Sequence, residues 1–369
     1  MVSPVTVRLL AIFLVDLLSF IPASKAQQTV NNRPREHFQN AEVIYDWVHD
    51  SQGNQLRTFV THPKNITGKV PAIFFVGWLS CDSVEYTHGE TDAFGAIFWR
   101  LIETSGYATM RMDKEGAGES GGDCAKTDFL TELSGYRAAF DSLSKYSFID
   151  QSRVFVVGLS NGGGTSPLAA EKHPVRGYIA ASSWGRTWYE HMLEHERVRL
   201  SSTGGKTAAE VNSAVKQFTD FYSLYLIHRM TPGEIIKQHS EWAELWYDAP
   251  EGQYGRPASF YQQLQDLNLG EVWSAVNVPV LVLRGASDSI MSRNDSVAIA
   301  NTVNRKTPGQ AEFVEVSNAD HLLSIRGKLA ESVVPAMLTW MKKTAGDALT
   351  DQEFADPLII RRKRADFFL

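Results

Sequence analysis

The chain has 369 residues, 43% of them hydrophobic and 21% charged, a globular composition long enough for one large core with an insertion or for two domains. Its 36 Lys and Arg against 42 Asp and Glu leave a net charge of −6, which argues against a nucleic-acid partner, because phosphate contacts need a basic face. Two cysteines are too few for a disulfide scaffold or a cysteine-rich zinc module.

Residues 1–26 read as a secretory signal peptide. Arg8 precedes an apolar run over 9–21, and Ser24 and Ala26 supply the small-x-small cleavage pattern. The run is shorter than the ~20 residues of a spanning helix. A membrane anchor and a buried N-terminal helix are the alternatives, and Asp16 is the irregular residue within the run. The mature chain is expected to be secreted or periplasmic, without a stable membrane span.

Two strands over 41–49 and 55–62 flank the turn-rich 50–54 as a hairpin. The continuous apolar run 70–78 suits a strand covered on both faces. Phe94, Ile97, Phe98, Leu101 and Ile102 share one face of a helix over 92–104. A strand over 107–112, a helix over 129–146 and a strand over 153–158 follow. Beyond Ser160 come a helix near 165–172 and a strand over 177–182. Strands over 278–284 and 312–316, each followed by a helix (near 295–303 and over 329–342), complete the alternation. Such alternation means a mostly parallel sheet with helices on both faces. Only 184–273 breaks it. That stretch shows helical patterns alone, including a capping box at Thr231 opening a helix to about Tyr247, and holds five of the nine tryptophans. The expected division is a first core segment over 27–183, a helical lid over 184–273, a second core segment over 274–345 and a tail over 346–369.

The segment Gly158-Leu159-Ser160-Asn161-Gly162 is a G-x-S-x-G pattern directly after a strand and before a helix. A strand–turn–helix of this kind holds its serine in a strained conformation with the hydroxyl exposed at a helix N-terminus. A serine hydroxyl needs a positioned base, and the base needs an orienting acid. Asp288 and His321 each follow a strand, in the order Ser, Asp, His expected for such an elbow. Ser160 is thus the candidate nucleophile, His321 the base and Asp288 the acid. The oxyanion donors are expected to be the N–H of Asn161 and that of Trp78, after the third strand, with Leu79 as the alternative if the register slips by one.

On these residues the chain resembles the α/β-hydrolase superfamily. Residues 113–120, from Asp113 through Gly116 and Gly118 to Ser120, are similar to the D-x-x-G-x-G-x-S turn after the fourth strand in many members. The part from Val70 to Phe129 resembles a group of exported bacterial hydrolases related to acyl esterases and prolyl-oligopeptidase-type peptidases. Val76-Gly77 replaces the more usual His-Gly, and the lid resembles no named one. The resemblance implies an α/β-hydrolase fold, with a mostly parallel eight-stranded sheet, helices on both faces and a helical lid. In the superfamily's strand order the third and fourth strands are neighbours, so Cys81 and Cys124 are expected to form a disulfide at one sheet edge, two separate buried thiols being the alternative. An oxidising compartment favours the bond.

His191 and His195 with Glu194 match H-x-x-E-H, but nothing identifies a third zinc ligand. No dinucleotide fingerprint opens a helix after a first strand. The expected function is a secreted or periplasmic serine hydrolase that cleaves a carboxylic ester of a small molecule through an acyl-enzyme on Ser160, with no cofactor and no metal. Trp184, Trp188 and Tyr189 are the expected aromatic substrate pocket. A serine exopeptidase or amidase on the same triad is the first alternative, with Glu190, Glu194 and Glu196 as a possible site for a charged terminus. A non-catalytic binding module on the same fold is the second. The oligomeric state is open.

Overall fold

The structure, a computed structural model, describes residues 35–87, 89 and 92–348. The expected signal peptide and most of the expected tail lie outside the described residues. Strands β1 (Ala41–His49) and β2 (Gln55–Pro63) form the hairpin, closed by Asp50, whose Oδ1 accepts the amides of Gln52 and Asn54 at 2.8 and 2.9 Å. β3 (Val70–Val76), β4 (Ala108–Met112), β5 (Ile149–Leu159) and β6 (Gly177–Ala181) follow. After the two-residue strands β7 (Gly252–Gln253) and β8 (Arg256–Pro257) come β9 (Val280–Gly285) and β10 (Ala311–Val316). The main sheet has eight strands in the order β1-β2-β4-β3-β5-β6-β9-β10, antiparallel from β1 to β4 and parallel from β4 to β10. From β3 the chain passes first to β4 on one side and then to β5 on the other. Ligands gather at the carboxyl ends of strands at such a switch point.

Each buried strand feeds two cores, because successive side chains alternate faces. In β3, Ala72, Phe74 and Val76 join one apolar cluster, and Ile73 and Phe75 join the other. Each fully buried phenylalanine of this kind contributes ~1.5–3 kcal/mol of transfer free energy. Helices α1 (Ala93–Thr104) and α10 (Val333–Ala345) cover one face. Helices α2 (Phe129–Ser142), α3 (Asn161–Ala169) and α9 (Arg293–Lys306) cover the other. Asp92 starts α1 by accepting the amide of Gly95 at 2.7 Å.

Between β6 and β9 lie α4 (Trp188–Ser202), α5 (Ala208–Tyr222), α6 (Pro232–Gln238), α7 (Ala258–Asp266) and α8 (Leu269–Ala275). Capping boxes begin α4, α5 and α6, pairing Thr187 with Glu190, Thr207 with Glu210 and Thr231 with Glu234. The apolar residues of this stretch share one cluster with the α2–α3 face of the sheet. Two expectations need correction. The helix opened at Thr231 stops at Gln238, because His239 leaves helical geometry (φ −128°, ψ 70°), and a short 3₁₀ turn over Ser240–Trp242 follows. The stretch also contains strand pairing, the β7–β8 hairpin, whose turn residues Tyr254 and Gly255 both have positive φ (47° and 73°) as such tight turns demand.

Candidate active site

Ser160 sits between β5 and α3 with φ 54° and ψ −121°, a strained backbone for a residue with a side chain. The neighbouring glycines make that turn possible. A Cβ on Gly158 would stand 2.4 Å from the Gly162 carbonyl oxygen, and one on Gly162 would stand 2.3 Å from the Gly77 carbonyl oxygen. The second contact shows how closely the loop after β3 lies against the first turn of α3. Helix α3 starts at Asn161, four residues before the expected start, because the elbow leads straight into it despite the low helix propensity of its three glycines.

The structure brings the three candidate residues together from three strand ends. His321 Nε2 lies 3.0 Å from Ser160 Oγ, and its Nδ1 lies 3.0 Å from Asp288 Oδ2. With Nδ1 protonated, the ring donates to the carboxylate and accepts the serine proton at Nε2. Asp288 is itself held. Its Oδ1 accepts the amides of Ile290 and Met291 at 2.8 and 2.9 Å, and its carbonyl accepts Arg284 Nη2 at 2.9 Å. Gly285, where β9 ends, tolerates no side chain, since a Cβ would stand 2.1 Å from the Asp320 carbonyl oxygen. The Asp288 and His321 loops therefore pack backbone against backbone.

Strand β3 ends at Val76, two residues earlier than expected, because the Gly77 amide turns away to donate to Tyr136 Oη at 3.0 Å. The next three carbonyls are each bound by a buried cation. Lys114 Nζ donates to the Trp78 carbonyl and, at 3.3 Å, to that of Ser80. Arg256, in β8, donates to the Leu79 carbonyl from both Nε and Nη2 at 3.2 Å. Glu132 on α2 pairs with both cations. Burial, aided by repulsion from Arg256 and only partly offset by attraction to Glu132, brings the Lys114 ammonium down to about 8. A disulfide joins Cys81 to Cys124 with the Cα atoms 6.2 Å apart, and Arg256 also reaches the Cys124 carbonyl at 3.5 Å. Nothing local in the sequence marks Lys114 or Arg256 as supports of this loop.

The residues from Asp113 to Ser120 form the turn that braces the same region. Asp113 accepts the Val84 amide at 2.6 Å and Ser83 Oγ at 2.8 Å, and Ser120 Oγ donates to the Asp113 carbonyl at 2.9 Å. Gly118 has φ 54°, and a Cβ there would stand 2.1 Å from Asp113 Oδ2. The motif is structural: its acid and its second glycine need each other.

Ser160 opens into a cavity of about 590 Å³. Trp78 and Asn161, the expected oxyanion residues, both line it, as do Leu79 and His321. Of the three expected pocket aromatics, only Trp188 does. Trp184 is fully buried behind the elbow, its Nε1 donating to Asn161 Oδ1 at 3.1 Å. Tyr189 points off another side of α4 and donates its hydroxyl to the Thr219 carbonyl at 2.9 Å. The aromatic type was the wrong guide, and the helical spacing of Trp188, Met192, His195 and Arg199, all on the cavity wall, was the usable signal. Glu190, Glu194 and Glu196 do not line the cavity. Glu190 belongs to a capping box, Glu194 pairs with Arg186, and Glu196 pairs with Arg199. Among the described residues, Asp82 and Asp92 are the carboxylates on its wall. Of the H-x-x-E-H pattern, His191 contacts Asp295 at 3.1 Å, and burial followed by repulsion from His191 lowers His195 to about 4. Among the described residues no group of three or more His, Cys, Asp or Glu side chains is placed to hold a metal ion. Nor, among them, is any helix long and apolar enough to cross a membrane.

Comparison with known proteins follows this geometry. A family model described as X-Pro dipeptidyl-peptidase (S15 family) matches residues 52–322. An uncharacterized 31.7 kDa protein in the traX-finO intergenic region of Escherichia coli is 24% identical over 255 residues, covering 67% of this chain and 84% of that protein. Est1E from Butyrivibrio proteoclasticus, solved with ferulic acid bound, superposes with a TM-score of 0.56 at 18% identity, over 82% of this chain and all of its own. An esterase from Pyrococcus furiosus superposes with a TM-score of 0.52 at 14% identity, over 85% of this chain and 96% of its own. At these identities the superpositions show the fold, which is that of the α/β-hydrolases.

Proposed function

The chain belongs to the X-Pro dipeptidyl-peptidase (S15) family of serine hydrolases, and on that premise we propose that it cleaves a carboxylic ester through an acyl-enzyme on Ser160. The observation that carries this reading is the continuous chain from Ser160 Oγ to His321 Nε2 and from His321 Nδ1 to Asp288, both links at 3.0 Å. Ser160 Oγ attacks the carbonyl carbon while His321 Nε2 takes its proton. Asp288 fixes the tautomer and stabilises the imidazolium. The N–H groups of Asn161 and Trp78 receive the developing oxyanion, in a site whose supporting carbonyls are already bound elsewhere and need not reorganise. His321 then protonates the leaving alcohol, and a water repeats the sequence to release the acid.

An ester is the favoured bond because the cavity wall is mostly apolar and the three lid glutamates that a peptide terminus would need are committed elsewhere. One observation favours the exopeptidase reading: Asp82 and Asp92 line the cavity and could take a substrate ammonium. Export is part of the proposal, and a Cys81–Cys124 bridge suits an oxidising compartment. The deciding experiment compares 4-nitrophenyl esters with aminoacyl-4-nitroanilides on wild type and Ser160→Ala, with labelling by a fluorophosphonate. Ester hydrolysis and labelling, both lost in Ser160→Ala by at least ~10³-fold, are expected. Faster turnover of the anilides would move the assignment to the exopeptidase, and a Ser160→Ala enzyme within tenfold of wild type would remove the mechanism.

A further inference from the structure

Helix α4 presents Trp188, Met192, His195 and Arg199 to the cavity along one face. At ~1.5 Å per residue this stripe runs about 16 Å. Its first end is the catalytic end, since Trp188 packs edge-on against Trp184 with ring centres 4.9 Å apart, and Trp184 holds Asn161. Its other end is Arg199, the one arginine or lysine among the described residues lining the cavity. This guanidinium is built in place. Nε and Nη2 hold Glu196 at 2.7 and 2.6 Å, and Glu196 has no exposure. The Tyr247 ring lies 4.6 Å from its Cζ, and Tyr247 Oη donates to the other Glu196 oxygen at 2.8 Å. These contacts use the Nε and Nη2 edge of the guanidinium, and the side chain, about a third exposed at 32%, lines the cavity. One turn back, His195 Nδ1 is buried without a hydrogen-bond partner. Met192, Ile290, Met291 and Leu322 make the wall between apolar.

A fixed cation at one end of an apolar slot, with a carbonyl-attacking centre at the other, selects a molecule with matching ends. Resting on the serine-hydrolase reading above and deepening it, we propose that Arg199 forms a carboxylate subsite, so that the substrate is an ester carrying a carboxylate at the end remote from the scissile bond. The carboxylate pairs with the guanidinium, the connecting chain lies against the apolar wall, and Asp82 and Asp92 on the loop side of the cavity disfavour the reverse orientation. A charge-assisted hydrogen bond of this kind is worth roughly ten- to a hundredfold in kcat/KM.

The test measures kcat/KM for pairs matched in length. Mono-4-nitrophenyl adipate and suberate are set against 4-nitrophenyl hexanoate and octanoate, which places the carboxylate on the acyl side. 4-Acetoxybenzoate against 4-methylphenyl acetate places it on the alcohol side. The charged-to-neutral ratio is expected to exceed about ten for at least one pair, to shrink with added salt, and to approach one in Arg199→Gln while Arg199→Lys keeps part of it. Using the ratio removes any general loss from imperfect folding of the variants. Ratios at or below one for every pair, or the same ratio in Arg199→Gln, would overturn the subsite while leaving the hydrolase reading intact. Calorimetric binding of free suberate to Ser160→Ala, expected to be lost in Ser160→Ala/Arg199→Gln, decides the subsite even if no ester is turned over. In that event the ester reading fails and the subsite stands or falls on the binding alone.

Discussion

Replacing Gly162 by alanine isolates the contact between the turn bearing Ser160 and the loop after β3, the proposed nucleophile turn and oxyanion loop. The added Cβ would stand 2.3 Å from the Gly77 carbonyl oxygen, 2.4 Å from that of Val76 and 2.7 Å from the Val76 carbonyl carbon. All three atoms are backbone, so no side chain can swing aside. To reach an ordinary contact, the loop or the first turn of α3 must shift by roughly 0.7–1 Å, a displacement of the size that costs about a hundredfold in rate when it misplaces reacting groups. Loss of one oxyanion donor costs ~2.7–4 kcal/mol of transition-state stabilisation, which brackets the same figure. Overpacking adds ~1–3 kcal/mol to the cost in stability. We therefore expect Gly162→Ala to fold with a lowered Tm and to hydrolyse 4-nitrophenyl acetate ~10²–10³-fold more slowly, mainly in kcat. Gly121→Ala is the control, because its nearest neighbour is an ordinary 3.6 Å away. A Gly162→Ala enzyme within threefold of wild type and with unchanged Tm would refute the idea that this approach sets the oxyanion geometry.

Removing the disulfide by Cys81→Ser and Cys124→Ser opens a loop of 43 residues, for which chain entropy gives ~4 kcal/mol of lost stability as an upper figure. Denaturant midpoints measured with and without reductant should show it, and coincident midpoints would count against the bond as a stabiliser. Glu115 is fully buried, and burial, reinforced by repulsion from Glu132, pushes its carboxyl up to about 8 from 4.5. Between those pH values the native state keeps a proton that the unfolded chain has lost, so stability falls as pH rises through the window. Glu115→Gln keeps the neutral form, and its Tm relative to wild type should climb from about pH 5 to about pH 8, whereas a constant difference would show that Glu115 does not titrate there. Trp188→Ala should alter the ranking of ester chain lengths, while Tyr189→Phe, which loses only its bond to Thr219, should cost ~1 kcal/mol of stability and leave the ranking alone. Equal shifts in ranking would contradict the assignment of one to the cavity and the other to the helix packing.

The elements legible in the sequence are those whose cause is local. β3 alternates between two cores, α1 carries its stripe, and Ser160, Asp288 and His321 each follow a strand at the sheet's carboxyl edge, where chain order alone brings them together. Asp92 and Thr231 announce helix starts because their side chains satisfy amides three residues on. Thr187 and Thr207, each three residues before a glutamate, carry the same signal. What could not be read locally was where helices stop. The turn after Gln238 and the π-helical turn Ser223–Ile227 that continues α5 answer to packing around Phe221, Tyr225 and Trp246. Tertiary contacts override a periodicity that would otherwise run on.

The least legible part of the site lies beneath its most legible residue. A loop after a buried strand leaves backbone carbonyls that must find donors away from water. At Trp78, Leu79 and Ser80 those donors are Lys114 and Arg256, one 34–36 residues downstream and the other 177. Two buried cations in one place would repel each other, and Glu132 on α2 compensates both. Removing one partner of such a cluster is far more costly than the cluster is stabilising, because a buried charge is left alone. The arrangement therefore acts as a specificity device for one loop conformation. It also ties the loop to the helical insertion, since Arg256 comes from the β7–β8 hairpin whose turn places Tyr254 on the cavity wall. The same short hairpin thus supplies a wall of the cavity that Ser160 opens into and a clamp on the loop after β3, so that cavity shape and the proposed oxyanion geometry depend on one element.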